Sequence, residues 1–330
     1  MPRSTGLLSR SSTMTRTPKR GEIMKSKQPS HRGEVLVIGA GELGGAVVAA
    51  LSQRDDAPPV TVLLRPANTP RHAQLRNEIM ARGAGIAEAD VATATVAELA
   101  TVLAQFHTVV SCIGFAAGSG TQRKITEAAL AAGVPRYFPW QFGADYDAIG
   151  RGSPQDLFDE QLDVRDMLRA QSATEWVIVS TGMFVSFLFE PDFGVVDLTT
   201  NTVNALGSWD TEVTVTTAED VGVLTAEIIQ AQPPIANQVV YVAGDTITYR
   251  ELADIVERTR GAQVIRNEWT VAHLLDELER NPGDSLCKYR AVFALGRGVA
   301  WPKAATFNAI RGISTTTAEE WASKYLSARE

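Results

Sequence analysis

The sequence predicts an α/β fold built on a doubly wound parallel sheet, and three observations lead to this prediction. The apolar segment 35–51 holds the glycine series Gly39, Gly41 and Gly44 between a strand-like half and a helix-like half. A second apolar segment, 59–65, completes a β-α-β unit of about 30 residues. Strand-like and helix-like segments then alternate through the first half of the chain, which is typical of a parallel sheet covered by helices.

The glycine spacing is that of a dinucleotide-binding loop. The first glycine permits a tight turn, the second lets the backbone approach a pyrophosphate, and the third lets the helix pack closely on the strand. Phosphates are then held at the helix N-terminus by unpaired N–H groups and the helix dipole. We therefore expect a cofactor to bind at Gly39, Gly41, Glu42, Leu43 and Gly44.

The tip of the second strand indicates which dinucleotide binds. A site for NAD usually carries Asp or Glu about 20 residues after the loop, bonded to the ribose 2′-hydroxyl, whereas this chain has Arg65. A guanidinium binds a 2′-phosphate through charge-assisted hydrogen bonds, and a carboxylate would repel it. The sequence therefore predicts NADP(H) as the cofactor.

The elements after Arg65 follow in regular order. They are a helix at 71–83, a strand at 84–90, a helix at 96–106, a strand at 107–115, a helix at 120–132, a strand at 136–143 broken at Pro139, a loop at 145–155, a helix at 156–171 and a strand at 175–184. Ligands of such sheets bind beyond the carboxyl ends of the strands. Further cofactor contacts are therefore expected at Ser111, Ile113, Gly114, Gln141, Gly182 and Phe184.

The second half of the chain has fewer apolar strands. Helices are predicted to begin at Thr217 and Thr248, with Asp220 and Glu251 three residues later as in a capping box, and 239–245 reads as a strand. The remainder is mainly helical in pattern. The expected organisation is a disordered basic tail at 1–33, an NADP-binding Rossmann domain at 34–183 that also receives a strand at 239–243, and a smaller α+β substrate lobe at 184–330.

Aromatic side chains interleave with turn residues in the segment 184–212. Aromatic residues are favoured both in cores and in the walls of ligand sites, so both interpretations stay open for this segment. The predicted substrate contacts are Phe115, Trp140, Tyr146, Phe187 and Trp209.

Composition limits the classes of partner. The 330 residues carry a net charge of −7, and residues 1–32 alone carry +7, so the remainder carries −14 and is unsuited to nucleic acid. No apolar run is long enough to span a bilayer. The two cysteines, Cys112 and Cys287, are too few for a disulfide framework or a zinc cluster. We expect a cytoplasmic protein with a small-molecule substrate and no metal, either a monomer or a homodimer.

The glycine loop, Arg65, VVSCIG, VPRYFPWQFG, the helix at 156–171 and STGMF occur in an order that resembles one family. This family is that of the atypical short-chain reductases called NmrA-like and isoflavone-reductase-like, and the resemblance covers residues 34–327. It implies a nucleotide-binding lobe, a smaller substrate lobe and NADPH-dependent reduction of aromatic or phenolic compounds. It also implies a second type of member, which binds nucleotide without turnover and acts as a redox-sensing regulator.

The chain departs from this family at its catalytic position. The family's lysine corresponds to Gln161, no lysine occurs between Lys124 and Lys288, and the family's F-P-S-E-F-G has Trp140 and Gln141 at its third and fourth positions here. A glutamine amide binds an oxygen but cannot supply a proton near neutral pH.

None of the tyrosines is followed by lysine four residues later, as an ordinary short-chain dehydrogenase requires. Gln161 and Tyr146 are the candidate catalytic residues. Two alternatives stay open: a reductase whose acceptor takes its proton elsewhere, and a nucleotide-binding regulator without catalysis.

Overall fold

The computed structural model describes residues 31–54, 58–115 and 118–326. The predicted basic tail lies outside the described residues, apart from its last three positions. Among the described residues, no helix combines the length and the apolar character needed to cross a bilayer.

The strands are β1 (His31–Ile38), β2 (Val60–Leu64), β3 (Gly85–Glu88), β4 (Phe106–Ser111), β5 (Arg136–Phe138), β6 (Glu175–Ser180), β7 (Met183–Phe184), β8 (Val196–Asp197), β9 (Thr202–Leu206), β10 (Glu212–Thr216), β11 (Gln238–Tyr241), β12 (Asp245–Thr248) and β13 (Ile265–Trp269). The helices are α1 (Glu42–Ser52), α2 (Pro70–Ala81), α3 (Val96–Leu103), α4 (Thr121–Ala131), α5 (Tyr146–Ile149), α6 (Leu157–Arg169), α7 (Ala218–Ile229), α8 (Tyr249–Arg260), α9 (Val271–Arg280), α10 (Ser285–Ala294), α11 (Phe307–Ile310) and α12 (Ala318–Leu326). Short 3₁₀ turns occupy Val185–Phe189 and Lys303–Ala305.

The main sheet is parallel and has the strand order β3-β2-β1-β4-β5-β6-β11. The direction of winding reverses between β1 and β4, which is the point at which doubly wound sheets bind ligands beyond their carboxyl ends. This arrangement confirms the predicted fold class.

Each face of the sheet is covered by helices, and the central strands alternate their side chains between two cores. Val35 and Val37 pack with residues of α1 and α7, whereas Leu36 and Ile38 pack with residues of α3, α4 and α6. Because both faces are covered, the strand residues are apolar on both sides, and this produces the near-continuous apolar runs of the sequence.

The predicted helix starts are confirmed at both positions. The Thr217 hydroxyl accepts a hydrogen bond from the backbone N–H of Asp220 at 3.0 Å, and Thr248 and Glu251 form a complete capping box. These contacts satisfy N–H groups that a helix start otherwise leaves unpaired.

Three regions contain secondary-structure elements that differ from the predictions. The strand predicted at 175–184 is divided, since β6 ends at Ser180 and β7 belongs to a separate sheet with β10 and β12. The loop predicted at 145–155 contains the short helix α5. The C-terminal region, predicted as mainly helical, contains the exposed strand β13 beside β9, and its sequence IRNEW has no apolar run to indicate it.

The second half of the chain surrounds its own hydrophobic core. Buried residues of β9, β10, α8 and α10 form this core together with the 3₁₀ turn Val185–Phe189. One strand of the same half, β11, leaves it to pair with β6 of the main sheet. The division of the chain at residue 183 stays a prediction.

We predict that Gly222→Ala lowers the free energy of unfolding by about 1–3 kcal/mol, because overpacking forces the backbones apart. A Cβ on Gly222 of α7 would lie 2.5 Å from the carbonyl carbon of Ala46 on α1. Gly45→Ala is the control, since its Cβ meets nothing within 4 Å. This change should raise stability by roughly 0.5–1 kcal/mol. Urea denaturation measures both, and equal stability of the two variants would contradict the close packing of α1 on α7.

Candidate functional site

The glycine loop is fixed by steric contacts that only glycine tolerates. Gly39 has a φ of +92°, and a Cβ there would lie 2.9 Å from Cγ1 of Ile113. A Cβ on Gly44 would lie 2.1 Å from the carbonyl oxygen of Gly39. Gly41 is different, because a Cβ there meets nothing within 4 Å and no side chain caps α1. The loop therefore leaves open space in front of an uncapped helix N-terminus, which suits a phosphate group.

The two residues after Gly41 point in different directions. Leu43 is buried in the core between the sheet and α7, so only its backbone is available to a ligand. Glu42 is exposed and lies beside Phe184 and Glu190. Partial burial, followed by the charges of Glu219 and Glu190, raises the pKa of the Glu42 carboxyl.

Arg65 directly follows β2 and is exposed. Within the described part of the chain, no hydrogen bond or ion pair engages its guanidinium. Arg71, in the first turn of α2, is exposed as well. The position that was predicted to select the cofactor therefore presents an available cation.

The carboxyl ends of β4 and β5 hold the next group of predicted cofactor residues. Ser111 is fully buried, and its hydroxyl has no hydrogen-bond partner. The side-chain amide of Gln122 donates to the carbonyl oxygen of Ile113 at 2.8 Å, which fixes the loop after β4. Gly114 lies against the ring of Trp140, where a Cβ would approach to 3.0 Å.

Helix α6 is anchored by a carboxylate that the sequence did not single out. Glu160 accepts hydrogen bonds from the backbone N–H groups of Gly120 and Gln122 at 2.8 Å each, and from that of Arg123 at 3.2 Å. This buried side chain caps α4 from another helix. The contact fixes α6, and Gln161 with it, relative to the end of β4.

Gln161 belongs to a buried polar chain. Nε2 of Gln141 donates to Oε1 of Gln161 at 2.9 Å, and Nε of Arg165 donates to Oε1 of Gln141 at 2.8 Å. Gln141, Gln161 and Arg165 each have 0% exposure. Arg165 also donates to Asp147 at 2.6 Å. The catalytic position predicted from the sequence is thus a neutral amide linked through Gln141 to the buried Arg165, which pairs with the partly exposed Asp147.

An aromatic cavity of about 240 Å³ lies beside these residues. It brings together Phe115, Trp140, Tyr146 and Phe187, which were predicted to contact substrate, and Gly182 and Phe184, which were predicted to contact cofactor. Its remaining lining residues were not predicted from the sequence: Phe142, Gly143, Ala144, Phe158, Met183, Tyr289 and Phe293. Tyr289 and Phe293 come from α10, and their spacing of four residues was the available signal that they share one helix face.

Trp209 lies outside this cavity. Its ring is half-buried against the C-terminal core, and the guanidinium of Arg266 lies over it, 5.9 Å from the ring centroid. Its contact with substrate stays a prediction. Neither His107 nor His273 lines the cavity, and both are exposed.

Tyr146 presents its hydroxyl close to the backbone of Gly143, where a Cβ would lie 2.4 Å from the phenolic oxygen. Burial raises the pKa of Tyr146, and the neighbouring Tyr289 raises it further, whereas the charge of Arg165 acts in the opposite direction. A phenol with a raised pKa stays protonated at neutral pH. It can donate a hydrogen bond, but it is a poor source of protons.

The described residues contain no group of three or more His, Cys, Asp or Glu side chains placed to bind a metal ion. Cys112 and Cys287 are both buried and unpaired. Burial raises the pKa of the Cys112 thiol, which makes a thiolate nucleophile unfavourable there.

The fold and the glycine loop define a doubly wound protein of the dinucleotide-binding class. Within that class, a model of the NmrA-like family matches residues 31–322, and the chain belongs to this family. It is 45% identical over 294 residues to an NmrA-like family domain-containing oxidoreductase of Gibberella moniliformis, covering 87% of this chain and 96% of the relative. It is 24% identical over 263 residues to an isoflavone reductase homolog of Zea mays, covering 77% of this chain and 82% of the relative.

Solved structures share the fold. The complex of leucoanthocyanidin reductase with NADPH from Vitis vinifera superimposes with a TM-score of 0.75 at 21% identity, covering 89% of this chain and 100% of that chain. An NADPH-dependent quinone oxidoreductase of Escherichia coli gives a TM-score of 0.67 at 23% identity, covering 88% and 99%. The predicted family and fold are therefore confirmed.

We predict that Asp147→Asn removes an acid-sensitive part of the stability. Hydrogen bonds from Arg169, opposed by burial and aided by Arg165, lower the pKa of Asp147 from 3.8 to about 2. Because the pKa is lower in the folded state, this stabilisation is present above about pH 4 and is lost as the pH falls towards 2. At pH 7 the variant should lose about 1–2 kcal/mol, a modest value because partial exposure screens the pair.

Urea denaturation at pH 7 and pH 3 measures this effect. The matched control is Asp166→Asn, which removes a carboxylate from the exposed Arg151. This control should change stability by less than about 0.5 kcal/mol. If Asp147→Asn lost as much stability between pH 7 and pH 3 as the unchanged protein loses, another group would be responsible for the acid sensitivity.

Proposed function

We propose that this chain is an NADPH-dependent reductase that transfers hydride to a small aromatic or otherwise conjugated C=C, C=O or C=N acceptor. The observation that carries the proposal is the aromatic cavity beside the carboxyl ends of the strands, whose lining residue Phe184 also lies beside Glu42 at the start of α1. Small-molecule sites are typically apolar clefts with a few polar groups, and they lie at this edge of doubly wound sheets.

NADP(H) is the proposed cofactor, and the residues present fit it. The open space at Gly41 and the uncapped start of α1 suit the pyrophosphate, and the exposed Arg65 suits a 2′-phosphate. Three solved structures of the same fold, which belong to two proteins, are named as complexes with NADPH or NADP⁺. When bound, the dinucleotide supplies the hydride.

The cavity wall favours a flat, apolar acceptor. Phe115 and Trp140 meet edge to face with ring centroids 4.6 Å apart, and Tyr146 and Phe158 do so at 4.8 Å. Such walls hold a conjugated ring by contact rather than by charge. The side-chain hydroxyls at the lining belong to Tyr146 and Tyr289.

The chain's polar groups limit which acceptors suit the site. Gln161 is neutral and lies outside the cavity lining, and the phenols of Tyr146 and Tyr289 have raised pKa values, so none of these groups is a good proton source for an acceptor. A quinone accepts hydride to give a hydroquinone anion, which then takes a proton from water. A protonated imine accepts hydride and becomes a neutral amine, with no further proton required. We favour these two classes, and the quinone oxidoreductase of Escherichia coli is a relative of the same fold.

A non-catalytic NADP(H)-binding regulator of the NmrA type is the second candidate. The observation that favours it is Gln161, which stands where the family has its lysine and has no surface exposed to the cavity. Such a protein would retain the glycine loop and Arg65, because both serve binding rather than turnover.

Residues 34–183, with the strand at 239–243, would bind the dinucleotide, and residues 184–330 would supply most of the substrate side. Tyr289 and Phe293 of α10 support this division, because they reach the cavity from the second part. We also propose a cytoplasmic location, small-molecule partners and a monomer or homodimer.

The reductase proposal is tested by following NADPH absorbance with quinones, cyclic imines, enones and aromatic ketones as acceptors. We expect oxidation of NADPH with quinones or imines and little with simple ketones. Hydride transfer to a simple ketone forms a strongly basic alkoxide, which requires an acid in the site, whereas the other two products do not. Tyr289→Ala should reduce turnover by opening the aromatic wall, without affecting NADPH affinity. If NADPH binds but no acceptor is reduced, the regulator becomes the better proposal.

The assignment of NADP(H) predicts that Arg65→Gln raises the dissociation constant of NADPH about 10- to 100-fold, because charge-assisted bonds to the 2′-phosphate contribute about 1.5–3 kcal/mol. The affinity for NADH, which lacks that phosphate, should be unchanged. Calorimetry with both dinucleotides measures the two constants. Arg76→Gln is the control. Arg76 is already paired with Glu88 at the end of β3, so this substitution should leave both dissociation constants unchanged. Equal loss for NADPH and NADH would place Arg65 away from the phosphate.

A further inference from the structure

The side chains of Arg165, Gln141 and Gln161 are joined by buried hydrogen bonds, and their chemistry fixes which atom donates and which accepts in each bond. A guanidinium can only donate, so the Gln141 atom that lies 2.8 Å from Nε of Arg165 is its oxygen. The Gln141 nitrogen then faces Gln161, where it donates to the backbone carbonyl at 2.8 Å. That carbonyl can only accept, so it assigns the same orientation of Gln141 independently.

The orientation of Gln161 follows from that of Gln141. The Gln161 atom 2.9 Å from the Gln141 nitrogen has to accept, so it is Oε1. The amide nitrogen of Gln161 therefore points away from the chain of bonds. It is buried, carries two N–H groups and has no hydrogen-bond partner. A buried donor without an acceptor is unfavourable, so this one is prepared for an acceptor that arrives by binding.

The position of this amide suggests which ligand supplies the acceptor. Gln141 follows β5 and lies between Trp140 and Phe142, which both line the aromatic cavity, yet Gln161 itself does not line it. The amide therefore sits behind the cavity wall at the carboxyl edge of the sheet. The buried hydroxyl of Ser111 at the end of β4 is a second unpartnered group at this edge. A dinucleotide whose pyrophosphate lies at Gly41 extends along the same edge.

We propose that Arg165 and Gln141 are positioning residues that hold the Gln161 amide so that it donates to an oxygen on the nicotinamide riboside half of the bound dinucleotide. This assignment rests on the proposed function, because it requires NADP(H) in the site. In this role Gln161 binds the dinucleotide through a hydrogen bond from a neutral amide, whereas a lysine would bring a charged ammonium group. Gln161 has 0% exposure, so the proposal requires the wall at Trp140 and Phe142 to shift when the dinucleotide binds.

The test compares two ligands that differ by the nicotinamide half. NADPH contains it, whereas 2′,5′-ADP has the adenine, the 2′-phosphate and no nicotinamide. For Gln161→Leu we expect the dissociation constant of NADPH to rise about 3- to 10-fold, as for loss of one hydrogen bond. The constant of 2′,5′-ADP should be unchanged. The ratio of the two constants is the readout, because a general disturbance of the fold would weaken both ligands.

Further variants separate positioning from packing. Gln161→Met keeps the length of the side chain and replaces the leucine variant if that variant is unstable. It should shift the ratio of the two dissociation constants in the way expected for Gln161→Leu. Arg165→Lys keeps a cation for Asp147 but removes the planar donor to Gln141, so it should shift the ratio in the same direction. Gln155→Leu is the matched control, because Gln155 is another glutamine with 0% exposure, outside this chain of bonds, and should leave the ratio unchanged.

The outcomes distinguish this proposal from the proposed function. If the unchanged protein binds neither ligand, the assignment of the cofactor fails. If it binds both and the Gln161 variants keep the original ratio, the cofactor stands and the role of the amide is overturned. A ratio shifted by Gln161→Met and Arg165→Lys, but not by Gln155→Leu, supports the positioning of Gln161 by its buried partners.

Discussion

The structure depends on one close contact, between Gly44 at the start of α1 and the carbonyl oxygen of Gly39. With glycine at both positions, the helix lies directly against the end of β1. A side chain at Gly44 would displace α1 from the strand, and one at Gly39 would meet the side chain of Ile113. The same helix has an uncapped start beside Gly41, and it packs closely on α7 at Gly222. The cofactor site and the helix layer over one face of the sheet thus share a single steric constraint.

A second set of contacts fixes the other side of the site. Glu160 caps α4 from α6, and one residue later Gln161 begins the buried chain that leads to Arg165 and Asp147. A buried guanidinium is tolerated only when its donors are matched, and here a carboxylate and an amide oxygen match them. The second Arg165 nitrogen has no hydrogen-bond partner, but the guanidinium lies over the ring of Tyr146, 5.3 Å from its centroid.

These contacts change the meaning of the substitution at position 161. In the sequence, glutamine in place of lysine appeared as a loss of catalytic acid. In the structure, Gln161 accepts a hydrogen bond from Gln141, and Gln141 in turn accepts one from Arg165. Gln141 and Gln161 thus form a neutral hydrogen-bonded pair. A site without a titrating group at this position suits an acceptor that needs no acid from the protein.

The sequence by itself determined the fold class, the β-α-β unit at the glycine loop, the helix starts at Thr217 and Thr248, and the family. These features rest on local patterns: apolar periodicity, glycine spacing and capping residues act within about a dozen positions. Only the tertiary structure decided that Tyr289 and Phe293 complete the cavity, that Trp209 lies elsewhere, and that Gln141, Gln161 and Arg165 form one chain of bonds. Such contacts join residues that are 20 or more positions apart, and no periodicity records them, because burial of a polar group is favourable only where its distant partners meet.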